Sequence, residues 1–259
     1  MTNVLVTAAG IGQRFVDVGV FVPKPIIRVG SVPIVKLTTD SLPFINDLGP
    51  DQLAFAVLQE HIEKWSIDTQ LTSIYNDSTI IPFDKLTRGN LETASHAVSS
   101  MTERGLWNPM DPIFILDSDN KYDGSHVEAF VREKERESTD FASICYFEPL
   151  DEKTHWCFAQ IRHDLVWNLL EKDIHSLRLG AKPMMGTFYF STAQLFLDAA
   201  EDVLFSGHET AGEFYMSQAI QRLIDEDVNV YGCEVTDVVP LGTPEDVNRF
   251  EHRRTHEPA

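Results

Sequence analysis

The apolar positions fall into short runs separated by stretches with helical spacing. Asn3–Ala8 (NVLVTA), Leu53–Leu58 (LAFAVL) and residues 113–116 (IFIL) are apolar on both faces, as buried parallel strands are. Residues 78–83 (STIIPF) read as a further strand. Helices are predicted over 60–75 and 90–104, and in the second Ala94, Ala97, Val98 and Met101 share one stripe. Strand alternating with helix implies crossover units and a parallel sheet.

After a charge-dense segment over 126–138, read as a helix with a solvated face, the pattern changes. Residues 141–147, Cys157–Arg162, Leu165–Glu171 and 186–191 are strand-like with no long helix between them, so antiparallel or mixed pairing is expected. Helices return over 192–205 and 213–225, and 228–233 is a late strand. A last helix opens at Thr243-Pro244-Glu245-Asp246, with an N-cap threonine, a first-turn proline and first-turn acids. The expected fold is α/β: a mixed, mostly parallel, Rossmann-like central sheet flanked by helices, plus a smaller antiparallel sheet. One domain is expected, with one half over 1–125, a second over 126–250 and a polar, flexible tail over 251–259. In that tail His252 and His256 read as a solvated terminus more simply than as a metal pair.

The 259 residues carry 40 acidic and 21 basic side chains, a formal charge of −19. Such acidity argues against wrapping a nucleic-acid backbone. No apolar run reaches the roughly 18–20 residues that span a bilayer, so no membrane partner is expected. The opening MTNVLVTAAG has no basic stretch ahead of its apolar run and reads as a strand, not a signal peptide. Three cysteines without a CxxC speak against a disulfide framework or a structural zinc site, and a cytoplasmic protein is expected. The charge is uneven: residues 1–36 hold Arg14, Lys24, Arg28 and Lys36 against Asp17 alone, a net of +3 on an acidic chain. A local anion site is implied.

Three motifs carry chemistry. Ala8-Ala9-Gly10-Ile11-Gly12-Gln13-Arg14-Phe15 follows the first strand, and its glycines let the backbone turn and aim N–H groups at an anion. A dinucleotide fingerprint is disfavoured: Phe15 fills the third glycine position, no acid ends a second strand about 20 residues on, and no Tyr-x-x-x-Lys pair occurs. In Pro23-Lys24-Pro25 the prolines are expected to hold an extended backbone and restrict the lysine, either as a polyphosphate contact or as an exposed turn. Asp117-Ser118-Asp119-Asn120 ends an apolar strand, where α/β sheets place ligands. If the strand runs straight through, both carboxylates share a side and suit Mg²⁺ or Mn²⁺; the same residues also make a good turn.

Together these motifs resemble the nucleotidyltransferases that activate sugar phosphates, the pyrophosphorylases with a GT-A-like Rossmannoid fold, in a branch associated with capsule biosynthesis. Gly89-Asn90-Leu91-Glu92-Thr93 is similar to that family's base-side loop, Glu171-Lys172 to its acceptor pair, and Gly186-Thr187-Phe188-Tyr189-Phe190 to the strand that follows. Gly212-Glu213-Phe214-Tyr215 and Gly242-Thr243-Pro244-Glu245-Asp246 resemble markers of the capsule-associated branch. The resemblance implies that Ala8, Ala9, Gly10, Gly12, Gln13, Arg14, Lys24, Gly89, Thr93 and Asp117 bind an NTP, the first half of the chain being the nucleotide half. Glu171, Lys172 and Gly186 would bind a phosphorylated small-molecule acceptor in the second half. Arg14, Lys24 and Asp119 would be catalytic, and Asp119 would hold the divalent ion.

Departures from the family pattern are Gln13, where serine or threonine is usual, the bulky Asn90-Leu91-Glu92, and Pro240, where several relatives have a second metal-binding aspartate. Glu213, Asp237, Glu234 or water would then supply the second ligand, with Glu213 placed first; Glu213 also reads as a plain helix-start acid. The implied reaction yields an NDP-linked compound and pyrophosphate. Alternatives are a GT-A glycosyltransferase using a nucleotide sugar, a cytidylyltransferase for a phospho-alcohol or phospho-amino-acid amide, and a non-catalytic nucleotide-binding regulator. A homo-oligomer is compatible with all of them.

Overall fold

The computed structural model describes residues 1–150, 156–173 and 175–256. In chain order the strands are β1 (Asn3–Ala8), β2 (Arg28–Val29), β3 (Val32–Pro33), β4 (Leu53–Leu58), β5 (Thr79–Phe83), β6 (Ile113–Asp117), β7 (Asn120–Asp123), β8 (Phe141–Tyr146), β9 (Cys157–Arg162), β10 (Leu165–Glu171), β11 (Lys182–Phe190), β12 (Asn229–Glu234) and β13 (Thr236–Pro240). The helices are α1 (Gln13–Val16), α2 (Ile34–Thr39), α3 (Gln59–Trp65), α4 (Ile67–Ile74), α5 (Asn90–Glu103), α6 (Val127–Lys134), α7 (Ala193–Ser206), α8 (Met216–Asp225) and α9 (Pro244–His256). The result is a mixed α/β fold. It divides into two compact units, one of residues 1–5, 87–116 and 126–236, the other of residues 6–86, 117–125 and 237 onward. Neither is a single stretch of sequence.

In the first unit the strands run β6-β11-β8-β12-β10-β9, and β11 also pairs with β9, so that β8 to β12 close on themselves. β8 and β12 pair in parallel, with Tyr231 opposite Ser143; β11 is antiparallel to β6, β8 and β9, and β10 to β9 and β12. The antiparallel or mixed pairing expected for the strands over 141–191 is found. One expectation is corrected here: β9 and β10 join this sheet instead of forming a smaller sheet of their own. The cause is local: β9 and β10 are joined by His163 and Asp164, both at positive φ, the two-residue turn that matches strand twist in a hairpin. Long β11 supplies the closure, because a register shift between Met184 and Phe188 lets Pro183 meet Phe158 while Phe188 meets Ile115.

Phe141, Phe158, Phe190, Phe196 and Phe214 are fully buried in this unit, each contributing on the order of 2 kcal/mol relative to exposure. Helices α5, α7 and α8 pack on one another, and α8 on β10 and β12. Thr192 caps α7 by accepting from Leu195 N–H at 3.0 Å, and Gly207 ends it in the left-handed region. The segment over 126–138 is helical only to Lys134, and Lys134 is buried, not solvated. Its ammonium lies 3.4 Å from Glu137, 3.8 Å from Asp164 and 5.0 Å from the centre of the Tyr231 ring.

In the second unit β4 and β5 pair in parallel, Phe55 opposite Ile80, with α3 packed on them. The predicted helix over 60–75 is broken at Ser66, whose φ of 49° ends α3 and starts α4. A separate cluster joins Phe15, Val29, Ile34, Leu241 and Val247. It anchors α1 and α9, and α9 continues beyond residue 250 to His256. The side chain of His256 and residues 257–259 lie outside the described residues.

Candidate functional site

The candidate residues sort by unit. Ala8, Ala9, Gly10, Gly12, Gln13, Arg14, Lys24, Asp117 and Asp119 belong to the second unit; Gly89, Thr93, Glu171, Lys172, Gly186 and Glu213 to the first.

In the second unit β1 ends at Ala8, and the chain enters α1 through Gly12, at φ 66° and ψ 46°. An L-residue reaches that conformation at a cost of about 1 kcal/mol. Phe15 is buried and pins the turn, while Gly10, Gln13 and Arg14 are exposed. The Gln13 amide is spent on Asp17 at 2.6 Å; the Arg14 guanidinium makes no hydrogen bond or ion pair among the described residues. Lys24 corrects the extended reading of its segment. Residues Lys24–Ile26 form a 3-10 turn with Pro23 as N-cap, where Pro25, lacking an N–H, deprives the turn of no needed donor. This turn lays the Lys24 stem along Gly12, where an added Cβ would stand 3.5 Å from Lys24 Cβ.

The Lys24 ammonium donates to Asp119 Oδ2 at 2.8 Å, with both side chains about one fifth exposed. Asn120 Nδ2 donates to the other Asp119 oxygen at 2.9 Å, and the Asp119 carbonyl accepts from Leu241 N–H at 2.8 Å. Strand β6 does not run straight through the acidic motif: it ends at Asp117, residues 118–119 bend, and β7 begins at Asn120. Asp117 accepts instead from the Thr7 hydroxyl of β1 at 3.3 Å. Gly242 is the neighbour that sequence reading undervalued, since a Cβ there would meet Asp119 Oδ2 at 2.9 Å. Among the described residues no group of three or more His, Cys, Asp or Glu side chains converges as a metal site.

In the first unit Gly89 caps α5 at φ 132° because the Phe214 backbone presses on it; a Cβ would lie 2.3 Å from the Phe214 carbonyl oxygen. Phe214 N–H donates to the Arg88 carbonyl at 2.6 Å, and Leu91 N–H to the Phe214 carbonyl at 3.1 Å. Asn90 accepts from Met216 N–H at 3.1 Å. Thr93 is buried, its hydroxyl bonded to the Gly89 carbonyl at 3.1 Å, so it shapes the loop. Glu92 is partly desolvated, which opposes its charge, but the Arg88 hydrogen bonds outweigh this and hold its carboxyl below the usual range.

Strand β10 delivers Glu171 and Lys172 together. Lys172 takes a left-handed conformation, φ 52°, with its N–H donated to the Trp156 carbonyl at 3.1 Å. The Lys172 ammonium donates to the Tyr215 hydroxyl at 2.8 Å and lies 4.4 Å from the centre of that ring. Partial burial lowers the lysine's pKa, but the Tyr215 hydrogen bond and the charges of Glu171 and Glu213 more than offset it, and the net shift is upward. Burial, and then the neighbouring Glu213 carboxylate, likewise push the Tyr215 phenol up. Glu171 accepts from the Ser217 hydroxyl at 2.6 Å. Burial, and then the Glu171 charge, keep the neighbouring Cys157 thiol protonated. Gly186 lies within the irregular stretch of β11 between Met184 and Phe188. Sequence reading missed Tyr215 and Ser217 as partners of the pair; Tyr215 was signalled only within the Gly212–Tyr215 motif, and Ser217 not at all.

No protein-family model and no curated protein matches the sequence. Solved structures do. A nucleoside-diphosphate-sugar pyrophosphorylase from Vibrio cholerae RC9 superimposes with a TM-score of 0.78 at 18% identity, covering 96% of this chain and 99% of that one. The inositol-1-phosphate CTP transferase from T. maritima does so with a TM-score of 0.69 at 13% identity, covering 100% and 98%. CTP:phosphocholine cytidylyltransferase from Streptococcus pneumoniae matches with a TM-score of 0.69 at 15% identity, covering 98% and 99%. This chain therefore has the fold seen in those nucleotidyltransferase structures, over nearly its full length.

Proposed function

We propose that this chain transfers a nucleotidyl group from an NTP to a phosphorylated small molecule, a sugar phosphate or a phosphorylated alcohol, releasing pyrophosphate. The observation that carries the reading is the Lys24–Asp119 ion pair, with the Lys24 stem packed beside the Gly12 turn that follows the first strand. The similar structures named as a nucleoside-diphosphate-sugar pyrophosphorylase and as two CTP-dependent transferases support it.

In this reading the exposed Gly10–Gly12 backbone, Arg14 and Lys24 bind the triphosphate, and Lys172 holds the acceptor phosphate. An oxygen of that phosphate attacks the α-phosphorus in line, the bond to the bridging oxygen of the β-phosphate breaks, and pyrophosphate leaves. Positioning and charge neutralisation suffice, with no covalent protein intermediate. The residues fit Mg²⁺ or Mn²⁺ in part. Asp119 offers hard oxygens, already attracts an ammonium, and has room secured by Gly242; one or two carboxylates with phosphate and water are enough for Mg²⁺. Asp119, with Asp117 two residues away, would hold the ion, which would neutralise charge on the α-phosphate and pyrophosphate. Glu213 is the weaker candidate ligand, its charge acting on Tyr215 and Lys172.

The setting proposed is the cytoplasm, and no described helix is long and apolar enough to cross a membrane. The test is a matrix of nucleoside triphosphates against phosphorylated sugars, polyols and alcohols with Mg²⁺, reading pyrophosphate. Release that needs both substrates and stops with EDTA is expected; none from any pair overturns the proposal.

A further inference from the structure

Strands β8 and β12 place Cys145 directly opposite Cys233. Side chains alternate sides along a strand, so both thiols leave the same face of the sheet, together with Phe141, Ser143 and Tyr231. Neighbouring strands lie about 4.8 Å apart, inside the roughly 4.4–6.8 Å between α-carbons that a disulfide spans. Both cysteines are free thiols and both are buried. Cys157 is set apart from them on β9, opposite Glu171. One short helix covers the face that Cys145 and Cys233 share. Just before α6, His126 Nε2–H donates to the carbonyl of Glu234, the residue after Cys233, at 2.7 Å. At its end the Lys134 ammonium sits over the Tyr231 ring, and Glu135 accepts from the hydroxyl of Tyr189, the β11 residue opposite Ser143, at 2.6 Å. Between these ties α6 buries Val127 and Val131 and leaves Ala129, Arg132 and Glu133 exposed. Its 8 residues are too few to hold a helix without that packing, so local opening of α6 costs less than global unfolding.

We infer that Cys145 and Cys233 form an oxidation site: a hydroperoxide converts the pair to a reversible disulfide that ties β12 to β8, and α6 controls access to it. The site owes nothing to the nucleotidyl-transfer chemistry. With α6 in place, the neighbouring Cys233 thiol, and then burial, push the Cys145 thiol well above its ordinary range. The thiolate is the nucleophile, so the closed pair is protected. When α6 lifts, one thiolate attacks a peroxide oxygen, the O–O bond breaks, and the leaving hydroxide takes up the thiol proton as water. The second sulfur then attacks the sulfenic sulfur. The S–O bond breaks, and the hydroxyl leaves with the second proton as water. Two thiols and one hydrogen peroxide become one disulfide and two waters; the two sulfurs are oxidised and the peroxide is reduced. Among cellular thiol reductants the dithiol is the resting form and the disulfide a transient one. The bond closes a loop of about 90 residues, long enough to constrain the unfolded chain strongly.

The experiment treats the full chain, reduced and then freed of reductant, with hydrogen peroxide. The chain is next unfolded, and its thiols are counted and mapped by peptide mass. The expected product joins the peptides that carry Cys145 and Cys233, two hydrogens lighter than their sum, with Cys157 outside the link; dithiothreitol reverses it. The linked chain should melt about 5 °C above the reduced one, a rise absent from Cys145→Ala and Cys233→Ala. His126→Ala releases the start of α6 and should speed linkage several-fold. The peptide map of the wild type needs no variant to fold. No link between Cys145 and Cys233 in either the wild type or His126→Ala overturns the inference. So does a link that includes Cys157, or one that joins two chains. Linkage at the same rate in His126→Ala and the wild type overturns the control assigned to α6.

Discussion

Lys24 Nζ lies 2.8 Å from Asp119 Oδ2, joining the 3-10 turn that follows α1 to the bend after β6 in one ion pair. Both side chains are partly exposed, so the pair contributes at most about 1 kcal/mol to stability. Its value lies in placing a cation and a carboxylate side by side. Asp119→Asn removes the charge and keeps the shape. Pyrophosphate release should fall by about a hundredfold or more, and Lys24→Met should fall comparably, with thermal unfolding little changed. Full turnover in either variant would separate the pair from the chemistry.

Gly242 and Gly10 provide a paired test of that loop. A methyl at Gly242 would stand 2.9 Å from Asp119 Oδ2, whereas one at Gly10 would meet nothing within 4 Å. Gly242→Ala should displace the carboxylate and lower kcat about tenfold. Gly10→Ala should fold normally, and any rise in KM for the NTP then reports close approach of phosphate to the loop backbone. Steady-state kinetics with a melting curve for each variant decide both points.

What could be read ahead of the structure was local. Strands such as Leu53–Leu58, the Thr192 and Thr243 helix starts, and the glycine turn before Arg14 follow from apolar runs and from Gly, Pro and Thr punctuation, so they were visible. Pairing was not. Whether β11 lies antiparallel to β6 and also reaches β9 depends on a register shift at Met184, and no local pattern reports that. Lys134 looked like one more charge on a solvated helix because its partners Asp164 and Tyr231 come from β9–β10 and β12. Gly242 looked like a helix-cap marker because the oxygen it makes room for belongs to Asp119, far back in the chain.

Gly89→Ala should act on folding first. Its Cβ would fall 2.3 Å from the Phe214 carbonyl oxygen, on a backbone at φ 132°. Overlap with backbone, not with a side-chain tip, leaves no cheap relaxation, and a loss of roughly 2–4 kcal/mol is expected. Urea unfolding measures it. A variant as stable as the wild type would mean that the strands of chain at 88–91 and 214 do not pack as described.

His61 on α3 is buried, and among the described residues its Nδ1 has no hydrogen-bond partner. Burial lowers its pKa from the ordinary 6.5; the Glu60 charge opposes this and the Lys64 charge adds to it. Below pH 6.5 the unfolded chain therefore takes up a proton that the folded chain resists. The sign follows: stability is intact above that pH and falls as pH drops from 6.5 toward the lowered folded value. The slope from this one group is at most about 1.4 kcal/mol per pH unit. His61→Leu removes the proton site and the unpaired nitrogen together, so it should be near neutral or stabilising at pH 7.5 and should flatten the decline between pH 6.5 and 5.5. Carboxylates elsewhere contribute equally to both proteins and cancel in the difference between the two urea-unfolding series. Parallel pH profiles for wild type and variant would show that His61 takes up its proton as readily folded as unfolded.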